Sequence, residues 1–127
     1  MGTVNVTEEN FAETVKSGIV LLDFWASWCG PCRAFAPVFE AASKRHPDAV
    51  FGKVNTESDP GLAAAFQVQA IPTLMVFRDG VLLAEQAGMV PASALDEVLR
   101  KVRALDMDEV RRQVAAMEAA ETAHGGA

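Results

Sequence analysis

The two cysteines of this chain lie three positions apart, in the segment Trp28-Cys29-Gly30-Pro31-Cys32. Two sulfurs at this spacing can close a disulfide over only four residues and can reopen as a dithiol. Because so short a loop removes little entropy from the unfolded chain, this disulfide would stabilise the fold less than one that closes a long loop. The pair is therefore better suited to redox chemistry than to a structural role.

A carboxylic acid interrupts the apolar run that precedes the cysteines. Asp23 stands in Val20-Leu21-Leu22-Asp23-Phe24-Trp25. A carboxylate buried there without a partner would be costly, and burial raises the pKa of a carboxylic acid towards the range in which it exchanges protons near neutral pH. The alternative is an aspartate on the solvent face of an edge strand.

Hydrophobic periodicity predicts the elements that position these residues. Apolar runs of strand length predict strands, and apolar residues three or four apart predict amphipathic helices. The predicted strands cover 4–6, 19–26, 49–55, 73–77 and 81–87. The predicted helices cover 7–18, capped by Thr7, and 31–45, 60–66 and 91–105, while Asp79-Gly80 predicts a hairpin. The expected fold is α/β, with a mixed central sheet of about five strands and helices on both faces.

Two segments of the chain resemble the thioredoxin family. The first runs from Asp23 to Cys32 as Asp-Phe-Trp-Ala-Ser-Trp-Cys-Gly-Pro-Cys, and the second is Ala70-Ile71-Pro72-Thr73. A bare Cys-x-x-Cys is shared with metal sites, but in this setting the signal is specific. The resemblance covers about residues 3–105 and implies a thioredoxin domain over 1–105 that acts as a general protein-disulfide reductase.

The resemblance gives the two cysteines separate roles. Cys29 lies just after a predicted strand and directly before the predicted helix 31–45, where free backbone N–H groups and the helix dipole favour a thiolate. As in the family, Cys29 would attack a substrate disulfide and Cys32 would resolve the mixed disulfide. Asp23 would be the proton acceptor beneath Cys32, with Lys53 as its buried partner. An ordinary exposed lysine is the alternative for Lys53.

The resemblance also implies an apolar surface on which substrates dock. The Ile71–Pro72 bond would be cis, beside the cysteines, and the backbone of Ile71 would pair with an extended substrate segment. Gly30 would let a partner backbone approach closely. The predicted surface consists of Trp28, Gly30, Pro31, Ala70, Ile71, Pro72, Gly88 and Met89. Ala70 and Met89 stand where the family often has smaller residues, so they make this surface bulkier.

Composition and charge restrict the cellular compartment in which the protein is expected and the classes of ligand that it is expected to bind. The formal net charge of −6 argues against nucleic acid or an anionic membrane as a partner. No apolar run approaches the ~18 residues of a membrane span, and no signal peptide is visible, so we expect a cytoplasmic protein. There, disulfides are usually transient and catalytic. No metal is expected, because a structural zinc site needs about four ligands and, beyond the two cysteines, only the dispersed His46 and His124 are available.

The resemblance further implies that the chain binds no cofactor. Electrons would come indirectly from NADPH through a flavin thioredoxin reductase, and the other partners would be proteins that contain disulfides. Two alternatives remain open, a disulfide oxidant or isomerase of the same fold and a non-catalytic interaction subunit. The Gly30-Pro31 pair, Ile71 before Pro72 and the lack of an export signal favour the reductase, and the presence of Asp23 speaks against the interaction subunit.

Residues 106–127 extend past the predicted domain. Asp106 with Glu109 resembles a capped helix start. Four apolar residues then repeat at helical spacing, namely Met107, Val110, Val114 and Met117. We expect a helix that packs on the domain, mediates a dimer of an otherwise monomeric protein, or binds a partner. A frayed helix with a disordered end at 124–127 is the alternative.

Overall fold

A computed structural model describes residues 2–125 of the chain, with side chains as far as residue 122. The five strands are β1 (Val4–Asn5), β2 (Ile19–Trp25), β3 (Ala49–Asn55), β4 (Thr73–Arg78) and β5 (Val81–Ala87). The five helices are α1 (Phe11–Val15), α2 (Gly30–Arg45), α3 (Pro60–Ala65), α4 (Ala92–Ala104) and α5 (Met107–Gly125). The predicted fold class is confirmed, including the additional C-terminal helix.

The strands form one mixed sheet in the order β1-β3-β2-β4-β5. β3 pairs in parallel with β1 and β2, whereas β4 pairs antiparallel with β2 and β5. The strand β2 is therefore central, with a hydrogen-bonded neighbour on each side. The alternative that placed Asp23 on an edge strand is wrong.

Alternation along β2 separates its side chains between two covered faces. Val20, Leu22 and Phe24 belong to a buried cluster that includes Val15 of α1 and Leu62 of α3. The residues between them point to the opposite face. That face is covered by α2, because Leu21 is in register with Phe51, whose ring centroid lies 5.1 Å from that of Phe39 in α2. Asp23 shares this face, beneath the helix that carries the cysteines.

The first helix begins later than predicted. Thr7 and Asn10 exchange hydrogen bonds: the Asn10 side-chain oxygen accepts from the Thr7 N–H at 2.8 Å, and the Thr7 hydroxyl accepts from the Asn10 N–H at 3.2 Å. This reciprocal pairing closes a turn in front of α1, so that Asn10 rather than Thr7 is the residue before the helix. The hairpin is confirmed, since Asp79 and Gly80 both have positive φ, 51° and 83°.

By its internal contacts the chain divides into two compact units, and the boundary follows Glu97. The second unit contains the end of α4 and all of α5. The Asp106 carboxylate accepts hydrogen bonds from the N–H groups of Asp108 and Glu109, at 3.0 and 3.2 Å, as expected of a capped helix start. The helix extends to Gly125, while residues 126–127 of the alternative disordered end lie outside the described residues. Within residues 2–125, no helix has both the length and the apolar character to cross a membrane.

Candidate active site

The two cysteines lie where the central strand passes into the long helix α2. β2 ends at Trp25, and Cys29 is the N-cap of α2. Cys29 and Cys32 form a disulfide, with their Cα atoms 5.2 Å apart. Cys29 is 4% and Cys32 2% exposed, so Cys29 is only slightly the more accessible of the two.

The local backbone favours negative charge on the Cys29 sulfur. The Cys32 N–H points at Cys29 Sγ from 3.2 Å, so the sulfur takes the place of the oxygen acceptor that usually caps a helix. Sγ also stands at the positive end of the dipole of a 16-residue helix. After reduction, both effects stabilise a thiolate relative to a thiol.

The Ile71–Pro72 segment lies beside the disulfide. The peptide bond between these residues is cis, as the resemblance implies. The carbonyl oxygen of Ile71 is 3.7 Å from Cys29 Sγ. On the other side, the Gly88 N–H donates to the Pro72 carbonyl at 2.8 Å, and Gly88 has a φ of +90°, which favours glycine. The structure thus brings together the Cys29–Cys32 pair, the Ile71–Pro72 segment and Gly88, which were all predicted from the sequence to belong to the site.

The predicted docking residues differ in accessibility. Trp28 is 68% and Met89 47% exposed, although both are large and apolar. Gly30, Pro31 and Ala70 are also exposed, Ile71 and Gly88 are partly buried, and Pro72 is buried. Ile71 packs against the buried cluster formed by Ala26, Cys29 and Cys32. Trp28, Ala70 and Met89 each adjoin in sequence a residue of the disulfide region, namely Cys29, Ile71 and Gly88. The exposed surface contributed by these residues is mainly apolar.

Asp23 is a fully buried carboxyl group. Among the described residues, neither of its carboxylate oxygens has a hydrogen-bond partner. Burial raises the pKa of Asp23 to about 6, and the positive charge of Lys53 partly opposes this effect. A group with this pKa can accept and return a proton near neutral pH.

Lys53 is the neighbour of Asp23 in the sheet register. Lys53 is half-buried, so it is neither the buried partner that the resemblance implies nor the exposed lysine of the alternative. Its Nζ lies 4.8 Å from the centre of the Trp25 ring, a cation–π arrangement that holds the ammonium group over the indole. Lys53 therefore acts on Asp23 through its charge.

Sequence reasoning did not single out Glu57, which the structure places at the cysteine loop. One carboxylate oxygen of Glu57 accepts the Ser27 N–H at 3.2 Å and the Ser27 hydroxyl at 2.9 Å. A charged residue just after a strand is ordinarily solvated, so residue type alone carries no signal of this contact.

Known proteins are similar to this chain in sequence and in fold. A family profile described as Thioredoxin matches residues 2–101. The chain is 52% identical over 106 residues to the "Putative thioredoxin 2" of Streptomyces coelicolor, covering 83% of this chain and 79% of that one. It is 45% identical over 102 residues to the thioredoxin of Staphylococcus haemolyticus, covering 80% of this chain and 98% of that one.

A solved structure agrees with these sequence matches. A mutant thioredoxin from Halobacterium salinarum NRC-1 has a TM-score of 0.77 and 30% identity, and the match covers 83% of this chain and 94% of that one. Both the sequence and the fold therefore match across most of the chain. The chain belongs to the thioredoxin family of thiol–disulfide oxidoreductases.

Proposed function

We propose that Cys29 and Cys32 divide the work of this protein-disulfide reductase, Cys29 as the attacking thiolate and Cys32 as the resolving thiol. The Cys29 thiolate attacks one sulfur of a substrate disulfide and forms a mixed disulfide, while the other substrate sulfur leaves as a thiolate. Cys32 then attacks Cys29 Sγ and expels the second substrate sulfur. The substrate gains two electrons, and the Cys29–Cys32 disulfide forms. The Cys32 N–H aimed at Cys29 Sγ carries this assignment.

Asp23 is the proposed proton acceptor for Cys32. The resolving thiol must lose a proton before it can attack, because the thiolate is the nucleophile. Asp23 is buried on the face of the sheet that α2 covers, and its raised pKa suits it to take that proton through an intervening water. The charge of Lys53 keeps the pKa of Asp23 from rising further.

The proposed substrate is an extended segment of a protein that contains a disulfide. Its backbone pairs with the backbone of Ile71, next to Cys29 Sγ. The eight docking residues predicted from the sequence supply apolar contact on either side of the disulfide. Such a surface demands little of any one substrate side chain, while Ala70 and Met89 add bulk that narrows the choice of partner.

The proposed electron source is NADPH, by way of a flavin thioredoxin reductase that reduces the Cys29–Cys32 disulfide. Thioredoxins bind no cofactor themselves, so the reductase is the partner that holds the flavin. We propose that the protein is a monomer in the cytoplasm. Reduction of its disulfide is favoured in that compartment.

A coupled assay tests this function. With NADPH, a bacterial thioredoxin reductase and insulin as the disulfide substrate, we expect NADPH to be consumed only when the chain is present. Failure with every thioredoxin reductase tried would contradict the proposal. A reduction potential near the roughly −120 to −180 mV of oxidants and isomerases would instead identify the alternative activity.

We also propose that residues 1–105 are sufficient for catalysis. All proposed site residues lie between Asp23 and Met89, within the first compact unit. A chain that ends at Leu105 is therefore expected to turn over insulin at the rate of the full chain in the coupled assay. Circular dichroism checks that the shortened chain is folded. A folded but inactive shortened chain would give residues 106–127 a role in catalysis.

A further inference from the structure

We propose that Glu57 is a positioning residue for disulfide exchange, which fixes the loop between β2 and α2 by holding Ser27. The inference rests on the proposed role of Cys29 as the attacking thiolate. Glu57 does not touch the reacting sulfur. It acts through the backbone of residues 27–29, which ends at the N-cap of α2.

All three polar groups of Ser27 are engaged. Its N–H and its hydroxyl both donate to the same carboxylate oxygen of Glu57, at 3.2 and 2.9 Å. Its carbonyl accepts from the Arg33 guanidinium at 2.8 Å. Hydrogen bonds to a charged partner are about twice as strong as those between neutral groups. An exposed serine is thus held by both an anion and a cation.

The residue before Glu57 anchors the other end of the same loop. The Thr56 N–H and hydroxyl both donate to the Trp25 carbonyl, at 2.9 and 3.0 Å. Thr56 and Glu57 together therefore make four hydrogen bonds to the stretch from Trp25 to Ser27. This segment follows β3, so the sheet itself determines where the loop is held.

A displacement of Ser27 would be passed on to the cysteine. The Cys29 N–H donates to the Ala26 carbonyl at 3.2 Å, which closes residues 26–29 into a tight turn. Trp28, with 68% of its surface exposed, lies within that turn and gains no support from burial. Holding Ser27 is therefore an effective way to fix both the Trp28 indole and Cys29 Sγ.

Glu57 can act on the cysteines by position or by charge, and the charge of Arg33 bears on the second of these. The Arg33 guanidinium lies beside Gly30, where a Cβ added to that glycine would be 3.9 Å from Nη2. The cation at the start of α2 thus offsets the negative charge of Glu57 near the cysteines. If Glu57 acted mainly by charge, removing the charge alone would favour the Cys29 thiolate and speed its reactions. If Glu57 acts by position, removing the acceptor oxygen slows them.

The test compares Glu57→Ala with Glu57→Gln, which keeps the acceptor oxygen and removes the charge. The measurements are the iodoacetamide alkylation rate of the reduced chain and the separate kcat and KM values in the insulin assay. We expect Glu57→Ala to lower the alkylation rate and kcat/KM about fivefold, the effect of losing one or two exposed hydrogen bonds. We expect Glu57→Gln to recover most of that loss. Glu118→Ala, which removes an exposed carboxylate from α5, is the matched charge control.

Several outcomes would overturn the inference. Wild-type rates in Glu57→Ala would show that the contact positions nothing. Equal acceleration in Glu57→Ala and Glu57→Gln would assign the effect to charge. If Glu57→Ala fails to fold, Ser27→Ala removes only the hydroxyl donor, and unchanged rates there would also contradict the inference. An inactive wild-type chain would count against the proposed function instead.

Discussion

Cys29→Ser is expected to reduce disulfide turnover to the uncatalysed background, whereas Cys32→Ser is expected to attack its substrate once and remain bound to it. The difference arises because only Cys29 lies at the helix N-cap, with the Cys32 N–H aimed at its sulfur. Without a resolving thiol, the mixed disulfide cannot be released. Non-reducing electrophoresis and mass spectrometry, after mixing each reduced variant with insulin, measure the trapped adduct.

The two single variants act as controls for each other. Both remove one sulfur and both prevent the internal disulfide, so any difference between them reports the division of roles. If the roles were reversed, the Cys29→Ser chain would be the one that accumulates the adduct. Turnover by Cys32→Ser at the wild-type rate would show that the substrate resolves its own mixed disulfide.

The oxidised chain is expected to lose stability through Asp23 as the pH rises from about 4 to about 6. Burial raises the pKa of this group from 3.8 to about 6, so that within this window the folded state holds the proton more tightly than the unfolded state. Stability falls with pH wherever the folded state binds more protons. Above pH 6 the full destabilisation of about 3 kcal/mol is present, and below pH 4 it is absent.

Asp23→Asn removes this titration. Urea unfolding is expected to show an increase in the free energy of unfolding of up to about 3 kcal/mol at pH 8, and a much smaller change at pH 4. Asp108→Asn, which changes an exposed carboxylate, controls for the loss of one charge. An equal effect of Asp23→Asn at both pH values would contradict the assignment. Asp23→Asn is also expected to lengthen the lifetime of the mixed disulfide, because Cys32 has lost its proton acceptor.

The sequence was sufficient to predict the sheet, the active-site cysteines and the burial of Asp23. These features follow from short-range patterns: apolar runs for central strands, a helix start after Cys29, and an acid within an apolar run. Asp23 and the two cysteines also lie in one of the two segments on which the resemblance to the thioredoxin family rests.

Features that depend on distant or competing contacts were not predictable in the same way. The start of α1 moved because Thr7 and Asn10 bond to each other, which offers the backbone an alternative to the helix. The register of the sheet places Lys53 next to Asp23 but does not fix how deeply the ammonium group is buried. The contact between Ser27 and Glu57 joins residues 30 positions apart, and nothing in either residue type indicates it.

The positions of the two tryptophans have a practical consequence. Trp25 packs against the buried cluster of Ala26, Cys29 and Cys32, and Trp28 precedes Cys29 directly. The chain contains no tyrosine and no further tryptophan, so, apart from the weak emission of phenylalanine, its intrinsic fluorescence originates from these two indoles. Opening and closing of the disulfide can therefore be followed in real time by intrinsic emission, without a label, in the unmodified protein.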